Sequence, residues 1–238
     1  MRLVIPSVDY ADHLRVSLSA WLRLVDRACI TVVTAARDHA TQDVAGWHGV
    51  RVLVTDAWTR HDPTFTGDTT HWHHYWRSRG ERIDRYEFNK ALALDEAFGF
   101  AGTKTAAPAD GEICISADAD CEPVGTLPSM ATIAPHVIYG CRRFTRHADG
   151  SKGPEEVIRG RALRCQHRAF TCVMEGYLQL FRYRPGLRFG SYPGADAYDS
   201  DFAEFHFTEP GREIPGLYVL HAGLTHTHWR GRVAERVS

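Results

Sequence analysis

Four short apolar runs constrain this chain more than anything else in it: RLVIP (Arg2 to Pro6), CITVVTA (Cys29 to Ala35), VRVLVT (Val50 to Thr55) and EICISA (Glu112 to Ala117). Each is a continuous β-rich stretch rather than an alternation of apolar and polar residues, the pattern of a strand buried on both faces. Between the first two, Leu14, Leu18, Leu22 and Val25 fall on one face of a helix over Ala11 to Val25, with Asp9 or Asp12 placed to cap it. Before the fourth run, Tyr86 to Phe100 reads as another helix, ending at Gly99. Strands that alternate with helices and expose neither face predict an α/β domain with one mostly parallel central sheet.

The second half is less regular. Val137 to Phe144 and Leu217 to Gly223 read as strands, and HADGSKGPEE (His147 to Glu156) reads as a surface loop. With 238 residues and no repeat or linker, the chain is expected to form one domain, a regular front half over 1–123 and an irregular, site-building half over 124–238. No apolar run approaches the roughly 20 residues that span a bilayer. The six cysteines include no C-x-x-C pair, and the start MRLVIPSVDYADH lacks a cleavage-site pattern. These features predict a soluble protein of a reduced, cytoplasmic compartment, without structural zinc.

Net charge is −1, unevenly spread. Cys141 to Gly190 holds eleven Lys and Arg against four acids, a balance of +7 that leaves −8 for the remainder. Two accounts fit: a solvated, arginine-rich loop region, or a surface that faces an anion. Tyr177, Phe181, Tyr183 and Phe189 interleave with Arg182, Arg184 and Arg188, which would suit stacking plus phosphate contact with nucleic acid.

The fourth strand ends in Asp118-Ala119-Asp120. Ligands of open α/β sheets bind beyond the carboxyl ends of the strands, so this segment and Pro6-Ser7-Val8-Asp9 should face one crevice. Carboxylates at i and i+2 can turn toward one ion where pleating stops, and oxygen ligands suit Mg²⁺ or Mn²⁺. By itself D-x-D is equally the polar end of a buried strand.

The neighbouring motifs tip that balance. VIPSVDYADHLRVSLSAWL, the helix FNKALALDEAF, ISADADCEP, then GYLQLF, YPGADAYDSDF and LHAG follow one another along most of the chain. That order resembles the GT-A fold of nucleotide-sugar glycosyltransferases, and within it the β-1,4-galactosyltransferase group and its polypeptide N-acetylgalactosaminyltransferase relatives. The resemblance implies inverting transfer of a hexose from a UDP-sugar to a hydroxyl, dependent on Mn²⁺ or Mg²⁺. It puts Pro6, Val8 and Asp9 at the nucleoside, Asn89 and Lys90 beside the donor diphosphate, and Trp229 and Arg230 also on the donor. Asp120 matches the metal-binding aspartate, Asp118 lies near the ribose or assists the ion, and His221 completes the metal site, with His226 and His228 behind it. Asp199 is the candidate general base, with Asp201 its competitor and Asp196 further back; both Asp199 and Asp201 can also be read as first-turn helix acids. Tyr198 stands where that group has a glutamate, and its Trp-Gly-rich segment is missing, which leaves the base and the acceptor pocket open. The cluster HWHHYWRSRGER (His71 to Arg82) lacks zinc spacing and reads as an aromatic loop against a sugar or base.

Other activities compete. A nucleotidyltransferase would show a glycine-rich loop after the first strand, where this chain has PSVDYADH. A phage-type glycosyltransferase acting on hydroxymethylated bases of DNA would use the basic segment, and a sugar- or nucleic-acid-binding module without catalysis would keep the fold alone. The acceptor is thus expected to be a saccharide or DNA.

Overall fold

In a computed structural model, residues 1–59, 90–100, 103, 105–156, 177–189, 202–203, 206–209 and 211–222 are described. In chain order the elements are strand β1 (Arg2–Pro6), helix α1 (Ala11–Trp21), β2 (Ile30–Thr34), α2 (His39–Trp47), β3 (Arg51–Val54), α3 (Lys90–Phe98), β4 (Ile113–Ala117), β5 (Cys121–Gly125), β6 (Tyr139–Arg146), β7 (Lys152–Glu155), β8 (Leu178–Arg182) and β9 (Arg212–His221).

They form one sheet in the order β3-β2-β1-β4-β8-β6-β9-β5, with β7 added on β6. The run β3-β2-β1-β4 is parallel throughout, as the continuous apolar strands require. β8 then joins β4 antiparallel, and β9 pairs with β6 in parallel but with β5 antiparallel. The mixed α/β architecture expected from the sequence is thus the one observed, with the antiparallel pairings gathered in the second half.

Burial explains why the first strands carry no polar face. On β1, Leu3 and Ile5 point into a core with Leu14, Leu18 and Trp21 of α1 and Val44 and Ala45 of α2, while Val4 points to the opposite core with Ala91, Leu94 and Phe98 of α3. β4 divides likewise, with Ile113, Ile115 and Ala117 on the first side and Cys114 on the second. A two-residue side-chain period across strands covered on both faces leaves β1, β2 and β4 without an exposed residue; β3 departs from the expected buried strand, because it lies at the sheet edge with Arg51 and Val54 exposed.

Several local readings change. α1 stops at Trp21, and neither Asp9 nor Asp12 caps it, because Tyr10 holds the cap position without a side-chain bond. α2 has no counterpart in the sequence reading; its Asp38 cap accepts from Thr41 N at 3.1 Å. The expected loop at His147 to Glu156 contains β7, paired to β6. Gly99 ends α3 at φ 78°, where a Cβ would meet the Ala106 carbonyl oxygen at 2.5 Å, so only glycine lets the next loop pass that close.

The four aromatics of the basic segment and Arg182 also differ from their nucleic-acid reading. Phe181, Phe189, Tyr183 and Tyr177 are at most 8% exposed; the first three pack in the second core, with Phe98, Phe100, Phe202 and Phe207 around them. Arg182 donates to the carbonyls of Ile133, Gly111 and Met130 at 2.5, 2.9 and 2.6 Å. Rings that close a core and a guanidinium spent on carbonyls cannot stack on bases or bind phosphates. Among the described residues, no helix is long and apolar enough to cross a membrane.

Candidate active site at the carboxyl ends of the strands

The strand order turns at β1: β2 and β3 lie on one side of it and β4 on the other. Chains leaving the carboxyl ends of β1 and β4 diverge there, and the crevice they leave is the usual ligand position in an open α/β sheet. The segments Pro6 to Asp9 and Asp118 to Asp120 both begin at that point.

Residues 118–120 form the whole connection between β4 and β5, a turn closed by Cys121 N on the Asp118 carbonyl at 3.2 Å. Further backbone groups of the turn are held from outside it. Asp118 N donates to Tyr177 O at 3.0 Å, Ala222 N donates to Asp120 O at 2.9 Å, and Ser17 Oγ of α1, itself buried, donates to Ala119 O at 2.6 Å. Ala119 tucks into the core, leaving the two carboxylates directed out of the sheet end.

They meet different partners. Asp118 pairs with Lys90 at the start of α3. Asp120, opposite β9 through the Cys121–His221 register, has its Oδ2 3.3 Å from His221 Nε2. The other ring nitrogen of His221 lies 3.0 and 3.1 Å from the two oxygens of Glu156. Glu156 in turn forms an ion pair with Arg143, whose Nε lies 2.9 Å from its Oε2, and accepts from the Thr145 hydroxyl at 3.2 Å. Sequence reasoning missed Glu156, which sits in a stretch that looks like loop; the pairings of β7 with β6 and of β6 with β9 bring it to His221.

The electrostatics follow from this chain of opposite charges. Burial opposes the charged imidazole of His221, but its hydrogen bonds to Asp120 and Glu156 outweigh that and raise its pKa to about 9. Burial alone would raise the Asp120 carboxyl; the His221 bond and the charges of His221, Lys90 and His13 hold it below the ordinary value instead. Glu156 is depressed in the same way, against burial, by His221, Arg143 and Thr145. His13, on α1, is a further neighbour of the site that the sequence reading did not single out.

The β1 side of the crevice is also pinned. Asp9 has φ 61°, and its N–H donates to Asp38 Oδ2 at 2.7 Å. The same buried carboxylate accepts from the Thr34 hydroxyl at 3.2 Å, while Arg37 lies 3.5 Å from Asp9 Oδ2. Pro6 and Val8 are buried, and the Val8 side chain belongs to the core, so this loop offers a ligand its main chain and Asp9. Asp38 also escaped the sequence reading; a D-x-x-T cap pattern was the available signal.

A divalent cation fits the donor set at one point. Ligands in neighbouring positions of an octahedral Mg²⁺ or Mn²⁺ site stand about 3 Å apart, given bonds of roughly 2.1 Å. The 3.3 Å between Asp120 Oδ2 and His221 Nε2 matches that edge. No group of three or more His, Cys, Asp or Glu among the described residues converges on a metal position. Asn89, Asp196, Asp199, Asp201, His226, His228, Trp229, Arg230 and the His71 to Arg82 cluster lie outside the described residues.

No protein-family model matches this chain, and no curated protein matches it. Solved structures do. Glucosyl-3-phosphoglycerate synthase from Mycobacterium tuberculosis, in complex with Mn²⁺, UDP and phosphoglyceric acid, is similar at a TM-score of 0.50 and 14% identity, over 94% of this chain and 70% of that one. TarS 1–349 of S. aureus gives 0.42 at 13% identity, over 92% and 60%. The galactosyltransferase LgtC, with donor and acceptor sugar analogs, gives 0.38 at 13% identity, over 76% and 58%. This chain therefore spans less than two thirds of TarS 1–349 and of LgtC. At 14% identity the first likeness is one of fold, and the fold is that of GT-A glycosyltransferase domains.

Proposed function

We propose that this protein is a glycosyltransferase that uses a divalent metal, Mn²⁺ or Mg²⁺, to transfer a hexose from a UDP-sugar to an acceptor hydroxyl with inversion. The observation that carries it is the Asp120–His221 pair, 3.3 Å apart at the crevice of the sheet, beside the Lys90–Asp118 pair. Its support from outside the chain is that the mycobacterial enzyme of the same fold was crystallised with Mn²⁺ and UDP. Among GT-A enzymes, the ordered motifs favour the β-1,4-galactosyltransferase-like group.

Asp120 and His221 would hold the cation, which when bound offsets charge on the departing diphosphate. The β1 loop would hold the nucleoside through its main chain near Pro6 and Val8 and through Asp9. Lys90 would release Asp118 to face the diphosphate, with Asn89 beside it, and Asp118 would turn to the ribose or the ion. Trp229 and Arg230 would also bind the donor. In the transfer, the acceptor oxygen forms its bond to the anomeric carbon while the bond from that carbon to the diphosphate oxygen breaks. The acceptor proton goes to a carboxylate, assigned to Asp199 with Asp201 as the alternative, and the bonding electrons leave with UDP. Residues 1–123 would bind the nucleotide sugar, and 124–238 would complete the metal site and hold the acceptor, for which a small saccharide fits better than DNA, since the aromatics that would stack on bases are buried.

The test is a panel of UDP-sugars with MnCl₂, scored for slow donor hydrolysis. Metal-dependent hydrolysis of at least one, lost in Asp120→Ala, supports the reading. Absence of hydrolysis and of UDP binding across the panel, or an unaffected Asp120→Ala, overturns it.

A further inference from the structure

The metal-dependent reading leaves one well-built group without a role: Glu156, joined to the face of His221 that points away from Asp120. We propose that Glu156 is a positioning residue, which grips Nδ1 of His221 so that Nε2 is presented toward Asp120 and the cation the two would share. This inference rests on the metal-dependent reading of the same site.

A histidine ring can rotate about its Cβ–Cγ bond, and exchanging its faces would move Nε2 away from Asp120. Both oxygens of Glu156 lie within 3.1 Å of Nδ1, which resists that rotation from one side while Asp120 marks the other. The grip is rigid because Glu156 is held independently of His221. Its backbone N–H donates to Arg143 O at 2.9 Å, its Oε2 faces Arg143 Nε at 2.9 Å, and its Oε1 accepts from Thr145 Oγ1 at 3.2 Å. Arg143 lies over the ring of Tyr177 at 4.8 Å, and the Tyr177 hydroxyl donates to Cys141 O at 2.5 Å. The carbonyl of Tyr177 is the acceptor for Asp118 N, so one set of contacts on β6 and before β8 fixes both the ring of His221 and the Asp118 to Asp120 turn. A carboxylate on the far nitrogen of a metal-binding histidine is a known way to orient the ring, and removing it typically weakens metal by about 10- to 100-fold.

The experiment measures Mn²⁺ binding by the loss of the free-ion electron paramagnetic resonance signal, with UDP present. It compares the natural protein with Glu156→Ala, Glu156→Gln and His221→Ala, each checked for folding by circular dichroism. The expected result is about 10- to 100-fold weaker Mn²⁺ binding in Glu156→Ala, and a smaller loss in Glu156→Gln, whose amide oxygen still accepts from Nδ1–H. Should Glu156→Ala be unfolded, Glu156→Gln decides alone: a measurable weakening supports the proposal, and unchanged affinity overturns it. If His221→Ala loses Mn²⁺ while both folded Glu156 variants keep it, Glu156 is only part of the ion network and the proposal falls by itself. If the natural protein binds no Mn²⁺, or His221→Ala binds it equally well, the metal-site reading fails and takes this proposal with it.

Discussion

Nε2 of His221 lies 3.3 Å from Oδ2 of Asp120 because β5 and β9 run antiparallel with Cys121 opposite His221. The last residue of the final described strand thereby meets the turn after β4. Removing either side chain breaks a charged pair that is largely out of water, and under the proposed function also removes a metal ligand. Asp120→Asn should therefore lower metal-dependent donor hydrolysis by about 100-fold or more, with Mn²⁺ affinity falling in parallel. Initial rates across a manganese titration check it.

The same pair sets the pH dependence of the metal-free protein. His221 has a raised folded-state pKa, about 9 against an ordinary 6.5, so the folded state binds its proton more tightly than the unfolded one. The stabilisation is fully present below pH 6.5 and is lost as pH rises through 9. Its upper bound is on the order of 3 kcal/mol, from 1.36 kcal/mol per pKa unit. Thermal melts in chelator from pH 6 to 10 should show Tm falling over this window, and His221→Gln should flatten the fall.

Ser17 is a remote support of the site. Its hydroxyl donates to Ala119 O at 2.6 Å inside the core, and Ser17→Ala leaves that buried carbonyl without this bond at a cost of about 1–3 kcal/mol. Urea unfolding should show that loss. Because the carbonyl lies between the two aspartates, Mn²⁺ affinity should weaken as well.

Asp38 should affect the donor rather than the metal. Asp38→Ala removes the acceptor for Asp9 N, Thr34 Oγ1 and Thr41 N, and Asp9 stands at φ 61° with that support. The expected outcome is a loss of about 2–3 kcal/mol in stability and a rise in KM for the sugar nucleotide that exceeds any fall in kcat. Steady-state kinetics with donor varied would separate the two.

Gly125 closes β5 where it passes β9. At φ 113° a Cβ there would stand 1.9 Å from the Gly216 carbonyl oxygen, so Gly125→Ala combines backbone strain with a clash against main chain. A cost of at least about 3 kcal/mol is expected, read as a large drop in Tm. Since β5 begins directly after Asp120 and β9 ends in His221, any folded fraction should also bind Mn²⁺ poorly.

The sequence was most legible where one side-chain period decided the matter. Leu3, Ile5, Ile113 and Ile115 could only belong to strands buried on both faces, and the parallel run follows from them. α2 escaped because its buried residues, Thr41, Val44 and Ala45, are few and small. The aromatic and arginine stretch misled for a related reason. Phe181 and Phe189 have the composition of a stacking surface, but their rings gain more from the Phe98 and Phe202 cluster than from solvent.

By itself the sequence determined the α/β layering, the crevice at the ends of the first and fourth strands, and the identity of Asp118, Asp120 and His221 as candidates. These depend on local periodicity and on motif order along the chain. Only the tertiary structure decided how those charges are partnered: Asp118 with Lys90, Asp120 with His221, and His221 with Glu156. The physical reason is that such pairings are set by strand register. Whether Glu156 reaches His221 depends on β7 folding onto β6 as a hairpin and on β6 lying beside β9, the second a contact between residues far apart in the chain that no local pattern encodes.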